Sequence, residues 1–378
     1  MAKTDTRQYS VNLTRIDTDM KNTFLRPSEK AVYDLRALYR GYGYRHYKMS
    51  RFEEYDLYAK NKSFLADKNV LTFTDTDGRL MALKPDVTLS VIRNTQESGG
   101  MHKMFYNEQV YRTGAGGGFT EIMQTGLECI GDIDLYSTAE VVALAYKSLK
   151  LINSDFILEL SHMGFLSGLI DELTDDESIK ARLLRAAGDK NITEIRSICE
   201  NCDALCEAVM LYGAPKACSD KMRGMIQNAK MRDAWQELCD IVELLDAFGI
   251  SDRVRFDFSI VNDTQYYNGV IFKGFINGIS KSVLSGGRYD NLMACMGKNQ
   301  GALGFAVYLD ELDRLMLEKR DTDIDILLVY DSSISPAAVA KKVKECAKDG
   351  KTVRAQASDE SDCRFGEVIY MGGANKGR

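Results

Sequence analysis

Prolines are scarce in this chain, four in 378 residues, and it has one tryptophan and three histidines. So few prolines exclude rigid Pro-rich linkers, and domain boundaries have to be read from changes of hydrophobic period. No stretch approaches the roughly 20 apolar residues that a bilayer-spanning helix needs. The leading MAKTDTRQYSVNLTR is polar and lacks the apolar centre of a signal peptide, so a cytoplasmic location is expected. A net charge of −6 argues against a chain built mainly to hold polyanions, because phosphate contacts need clustered Lys and Arg. Nine cysteines, an odd number at irregular spacing, fit reduced thiols better than a disulfide framework.

What is present suits a globular protein of two or three domains, with 45% hydrophobic and 28% charged residues. Cys199, Cys202 and Cys206 of CENCDALC have CxxC spacing but also the i, i+3, i+7 stripe of a helix. Structural zinc sites show two ligand pairs and no second CxxC exists, so core packing is expected, not zinc with Cys218 as a further ligand.

Residues 27–43 (PSEKAVYDLRALYRGYG) read as a helix opened by Pro27 and Ser28. VLTFTD and RLMALKP flank DTDG, a hairpin signal, and a helix follows from about Thr88. KMFYNEQVYR and EIMQTGLECIG are strands joined by a glycine loop, and DLYSTAEVVALAYKSLKLI is an amphipathic helix. After the strand FILEL, residues 162 to about 248 turn helical; strands return in RVRFDFSIV, QYYNGVIFKGF and SKSVLSGGRYDNL. A last helix is expected at about 305–319. IDILLVY, a helix at 336–348, TVRAQ and EVIYMG then make a small βαβ-type unit. The expected fold is α+β: an antiparallel sheet flanked by helices over 1–321, with a helical insertion at about 162–250, and a C-terminal α/β unit over 322–378. Steady strand–helix alternation, the mark of a doubly wound parallel sheet, is absent.

Period 2 in 121–131 puts Gln124, Gly126 and Glu128 on one face and Met123, Leu127 and Cys129 on the core face. In the facing strand Arg112 shares a side with Val110 and Glu108. An arginine, an amide and a carboxylate around a glycine gap suit a small zwitterion, the guanidinium taking its carboxylate. The other reading is a solvent-facing polar side of the sheet. Asp86 and Thr88 stand near a helix start, where N-capping is the common role. Tyr266 and Tyr267, as strand neighbours, are expected on opposite faces, so that only one lines a pocket. GAGGG matches neither GxxxxGK[ST] nor a GxGxxG that opens a helix, and no helix N-terminus follows it to hold an anion.

MALKPDVTLSVIRN, MFYNEQVYRTG…FTEIMQTGLECIG, YYNGVIF, SGGRYDNLM and GALGFAVYLDEL, in this order over about 300 residues, resemble the catalytic core of histidyl-tRNA synthetases, class II synthetases that are usually dimeric. The resemblance implies a histidine pocket. Arg112 would hold the carboxylate, Asp86, Thr88 and Gln124 would surround the ammonium, and Glu128 with Tyr266 or Tyr267 would address the imidazole. The ATP side departs from the family pattern. Asn262 stands where an arginine acts in adenylate formation, Glu311 where an arginine binds ATP phosphates, and Gly114 where a glutamate is usual. Losing arginines that stabilise nucleotidyl transfer removes electrostatic catalysis.

A core of this kind, with a shortened C-terminal unit and the segment SHMGFLSGLIDEL, resembles a subfamily: the regulatory subunits of short-form ATP phosphoribosyltransferase in histidine biosynthesis. The implied role is a non-catalytic subunit without aminoacylation activity. It would need no cofactor or metal, assemble with the catalytic phosphoribosyltransferase chain, be required for that chain's activity and convey inhibition by histidine. Self-association as a dimer is expected, and no nucleic acid partner. The rival expectations are a divergent active synthetase and a histidine sensor with another partner.

Overall fold

The computed structural model describes residues 25–373, apart from 66–68, 97–99, 115–116, 262–265, 314–321 and 361. The chain divides into two compact units, one spanning Arg26–Leu315 and one that includes Met316–Arg378.

The larger unit is built on a nine-stranded sheet. Its strands are β1 (Arg45–His46), β5 (His102–Thr113), β6 (Phe119–Gly131), β7 (Phe156–His162), β8 (Tyr212–Gly213), β9 (Val254–Asp257), β10 (Val270–Ile276), β11 (Leu284–Arg288) and β12 (Gly301–Tyr308). Their spatial order is β1-β5-β6-β12-β11-β10-β7-β9-β8. Every pairing is antiparallel except β1 with β5 and β7 with β9. A separate small sheet pairs β2 (Phe52–Glu54) and β3 (Thr72–Thr74) with β4 (Leu80–Leu83). The DTDG hairpin forms between β3 and β4, closed by Asp75 Oδ1 accepting from the Asp77 and Arg79 amides, with Gly78 left-handed.

Period 2 decides which side of the main sheet is core. Leu127 and Cys129 of β6, Phe105 of β5 and Phe305 of β12 point to one face. There they pack with Leu35 and Tyr39 of the Pro27–Gly41 helix and Leu144 of the Leu135–Ile152 helix. Asp134 caps the latter helix through the Ser137 amide, 2.7 Å away. Even-numbered residues of β5 and β6 are left for the opposite face. The helical block runs from Met163–Asp171 to Ala229–Ala247 and also supplies the edge strand β8. Cys202 and Cys206 are buried in its core with their sulfurs 3.8 Å apart, the packing role expected of them.

One element is corrected. Residues 301–308 are strand β12, and helix covers Leu309–Leu312 before the chain leaves the described residues. The segment GALGFAVY alternates Leu303, Phe305 and Val307 on the core side with Gly304 and Ala306 on the other, a strand period obscured by small residues.

The smaller unit is a three-stranded parallel sheet, β13 (Ile324–Tyr330) between β14 (Val353–Gln356) and β15 (Phe365–Met371), with the Pro336–Cys346 helix capped by Ser335. Among the described residues no helix is long and apolar enough to cross a membrane.

Candidate functional site

The face opposite the helices holds Tyr106, Glu108, Val110 and Arg112 of β5 against Gly126, Gln124, Ile122 and Thr120 of β6. Glu128 lies between Met104 and Gly304. A Cβ on Gly304 would fall on Glu128 Oε2, so glycine there lets the carboxyl fold flat over β12. Gly126 leaves room in the same way for the Tyr106 phenol, whose oxygen lies 2.6 Å from where a Cβ would stand.

Glu128 is 2% exposed. Its Oε1 accepts from Thr88 Oγ1 at 2.8 Å and its Oε2 from the Tyr289 hydroxyl at 2.5 Å. Burial pushes the carboxyl pKa up to about 8; the two hydroxyl donors act against that rise and nearby Asp86 adds to it. No cationic side chain pairs with it among the described residues. The phenols of Tyr106, Tyr266, Tyr267 and Tyr289 are held well above their ordinary pKa, chiefly by burial, and Glu128 and Asp86 act on the first three in the same direction.

At the other end of the site, Asp86 Oδ1 accepts from the Leu89 amide at 2.9 Å and so caps the Thr88–Asn94 helix. Its Oδ2 is 3.9 Å from the Arg112 guanidinium, whose Nε donates to the Pro85 carbonyl at 3.0 Å. Gln124 is buried opposite Glu108 and Tyr308, and its Nε2 has no hydrogen-bond partner among the described residues. Beside it the fully buried Lys84 donates to Glu108 Oε2 at 2.8 Å. Burial lowers the Lys84 pKa and Glu108 opposes that.

Asp86 and Thr88 thus divide the two roles open to them: Asp86 caps the helix while Thr88 turns to Glu128. The tyrosine expectation is corrected. Tyr266 and Tyr267 precede β10, so strand alternation does not apply, and their rings lie 4.5 Å apart. Tyr267 sits over Gly287, and the Tyr266 ring lies 5.9 Å from that of Tyr289. Two residues of the site were missed. Tyr106 shares parity with Glu108 and Arg112 and was legible by alternation. Tyr289 follows the end of β11, where parity gives no direction.

The glycine loop joins β5 to β6, as expected, and of its residues Gly114, Gly117 and Gly118 are described. The Gly114 amide donates to the Gly118 carbonyl at 2.8 Å, and Gly117 and Gly118 are left-handed. Glu311 lies 3.6 Å from Lys281, and the neighbouring Asp310 carboxyl is raised by burial, then by Asp313, Glu311 and Glu121. The start of this helix is therefore acidic. Asn262 lies outside the described residues.

A buried, uncharged carboxyl between hydroxyls and aromatic rings suits a ligand bearing ring N–H groups. Asp86, Arg112 and Gln124 offer a separate set for an ammonium and a carboxylate.

Comparison with known proteins bears on the family and the fold. The family model of histidyl-tRNA synthetase matches residues 18–312. A protein of Halothermothrix orenii named ATP phosphoribosyltransferase regulatory subunit is 28% identical over 351 residues, covering 88% of this chain and 83% of that one. A solved structure described as an ATP phosphoribosyltransferase regulatory subunit/histidyl-tRNA synthetase from Bacillus halodurans superposes with a TM-score of 0.75 at 24% identity, over 91% of this chain and 93% of the other. A chain of an ATP phosphoribosyl transferase (HisG:HisZ) complex from Thermotoga maritima has a TM-score of 0.60 at 18% identity, over 75% of this chain and 97% of its own.

Proposed function

This chain belongs to the histidyl-tRNA synthetase family, and from that premise we propose that it is a regulatory subunit of ATP phosphoribosyltransferase. It assembles with a short catalytic chain, is required for that chain's activity and conveys feedback inhibition by histidine. The observation that carries this reading is the likeness, over most of the length, to proteins bearing that name. The site supports it from two sides. Glu128, Thr88 and Tyr289 form a dry polar end for an imidazole, flanked by Tyr266 and Tyr267, with Asp86, Gln124 and Arg112 for the amino-acid head. Where an active synthetase of this family places an arginine against ATP phosphates, this chain has Glu311 beside Asp310, and like charge repels the nucleotide. The chain performs no chemistry of its own in this reading.

The test is reconstitution with a short catalytic phosphoribosyltransferase, following transfer of the phosphoribosyl group to ATP while histidine is titrated. Activity that depends on this chain and falls with histidine is the expected outcome. Histidine-dependent ATP–pyrophosphate exchange by the chain alone would make it an active synthetase. Histidine binding without any association would make it a sensor with a different partner.

A further inference from the structure

Glu237 is an acid on the packing side of its helix. In Ala229–Ala247 it shares that side with Ala234 and Ile241, both buried, and a carboxylate there needs polar partners. It meets them at the main sheet. His162, the last residue of β7, accepts the Gly164 amide on Nδ1 at 3.0 Å, so its proton is on Nε2, which lies 3.0 Å from Glu237 Oε2. Burial acts to raise the Glu237 pKa; the bond to His162 and the Arg288 guanidinium outweigh it and hold the carboxyl below its ordinary value. Arg288 Nε in turn donates to Asp290 Oδ2 at 2.8 Å. Arg288 is thus drawn both to a carboxylate of the helical insertion and to one beside the sheet.

Tyr289 is the residue between Arg288 and Asp290, and its backbone is held on both sides. Its amide donates to the Ala302 carbonyl at 2.8 Å, and the Arg288 carbonyl accepts from the Asn268 amide at 3.1 Å. The Asp290 amide donates to Asn268 Oδ1 at 3.0 Å, and Asp290 Oδ1 accepts from the Ala302 amide at 2.9 Å. Gly269 lets the Arg288 side chain lie close, since a Cβ there would stand 3.0 Å from Arg288 Cδ. The phenol carried by this segment donates to Glu128 Oε2. Buried ion clusters often contribute little net stability and have no further role. Here the bonds converge on the two residues flanking Tyr289 and on Asn268, which follows Tyr267.

We propose that Glu237, Arg288 and Asp290 are positioning residues for Tyr289, so that the helical insertion sets the affinity of the imidazole end without touching the ligand. Without the Glu237 charge, Arg288 is held by Asp290 alone, and the segment that aims the phenol at Glu128 loses its tie to the insertion. The inference takes its ligand, histidine, from the function proposed above; the placing of the phenol does not depend on it.

The test uses the full-length chain with fluorotyrosine at position 289, read by fluorine NMR, and titration calorimetry with histidine on the unlabelled chain. Glu237→Gln keeps an oxygen for His162 but removes the charge that acts on Arg288. Arg288→Lys keeps the charge but loses the Nε bond to Asp290. The Glu237 and Arg288 side chains are 28% and 25% exposed, so melting curves near the parent's are expected of both variants. Each substitution should move the fluorine resonance and weaken histidine by about threefold or more. In the Tyr289→Phe background the same substitutions should cost no further affinity, a non-additivity that general destabilisation does not produce. An unmoved resonance in either folded variant would overturn the proposal. So would an affinity loss that is equal with and without the Tyr289 hydroxyl. Failure of the unsubstituted chain to bind histidine would count against the proposed function instead, and the resonance would still decide the positioning.

Discussion

On the proposed function, the raised pKa of Glu128 would make histidine binding a proton-linked event with a definite shape. At pH 7 the free site holds a neutral carboxyl, since its pKa is about 8, while free imidazole, with a pKa near 6.5, is mostly neutral. If the complex keeps one proton between the two groups, binding involves no net proton exchange between about pH 6.5 and 8. Below that window the ligand must give up a proton, and above it the site must take one up. Affinity should therefore be flat across the window and fall about tenfold per unit beyond it, 1.36 kcal/mol for each unit. Titration calorimetry between pH 5.5 and 9, in two buffers of different ionisation enthalpy, reads both the affinity and the proton count. Glu128→Gln should abolish the alkaline loss that belongs to the protein and leave the loss due to the ligand's own ammonium. The same shift has a sign for the empty protein. The folded state holds a proton that the unfolded carboxyl, at 4.5, has released. Stability should thus decline from pH 4.5 to 8, by several kcal/mol for this group alone, and decline less in Glu128→Gln. Affinity that climbs through pH 8, or an alkaline loss identical in the variant, would refute the reasoning.

Gly304→Ala places a methyl on the Glu128 carboxyl; overpacking of this kind costs about 1–3 kcal/mol, so a lower melting temperature and loss of histidine binding in calorimetry are expected. Lys84→Met strands Glu108 without its buried partner and should destabilise by about 3–5 kcal/mol in urea titrations, whereas Lys84→Met with Glu108→Gln should recover much of that. Histidinol keeps the imidazole and ammonium but lacks the carboxylate for Arg112; it should bind more weakly than histidine, and inhibition of the reconstituted enzyme should be lost with the carboxylate contact.

How far the sequence could be read depended on what each residue's neighbours reveal. β5 and β6 pair as regular strands without a bulge, so the faces of Gln124, Glu128 and Arg112 followed from parity, and the turn from its glycines. The C-terminal unit was legible because turn residues bound each of its elements. β12 was not, because Gly304 and Ala306 occupy its site face, and small residues there carry no polar signal. Tyr266, Tyr267 and Tyr289 lie just outside strands, where direction depends on local turns that no periodicity encodes. The fit of Glu128 over Gly304 and the approach of Tyr266 to Tyr289 are tertiary facts, resting on contacts between segments apart in the chain.

The two ends of the site differ in a way that bears on regulation. The Glu128 end is fixed: its carboxyl ties the Thr88–Asn94 helix, β6 and the segment after β11 through hydrogen bonds of 2.8 and 2.5 Å, all of them buried. Ligand binding there adds energy but leaves little to rearrange. At the Asp86–Arg112 end each residue is tied to backbone but the two charges stand 3.9 Å apart, and Gln124 Nε2 has no partner among the described residues. An effector shifts an equilibrium only by its difference in affinity for two states, and a hundredfold difference, about 2.7 kcal/mol, lies within the range of ordinary allosteric coupling. That difference has to arise where geometry can change. On the proposed function, the imidazole end would confer recognition, and the ammonium and carboxylate end, through Arg112 and the 85–86 segment it holds, would transmit the signal.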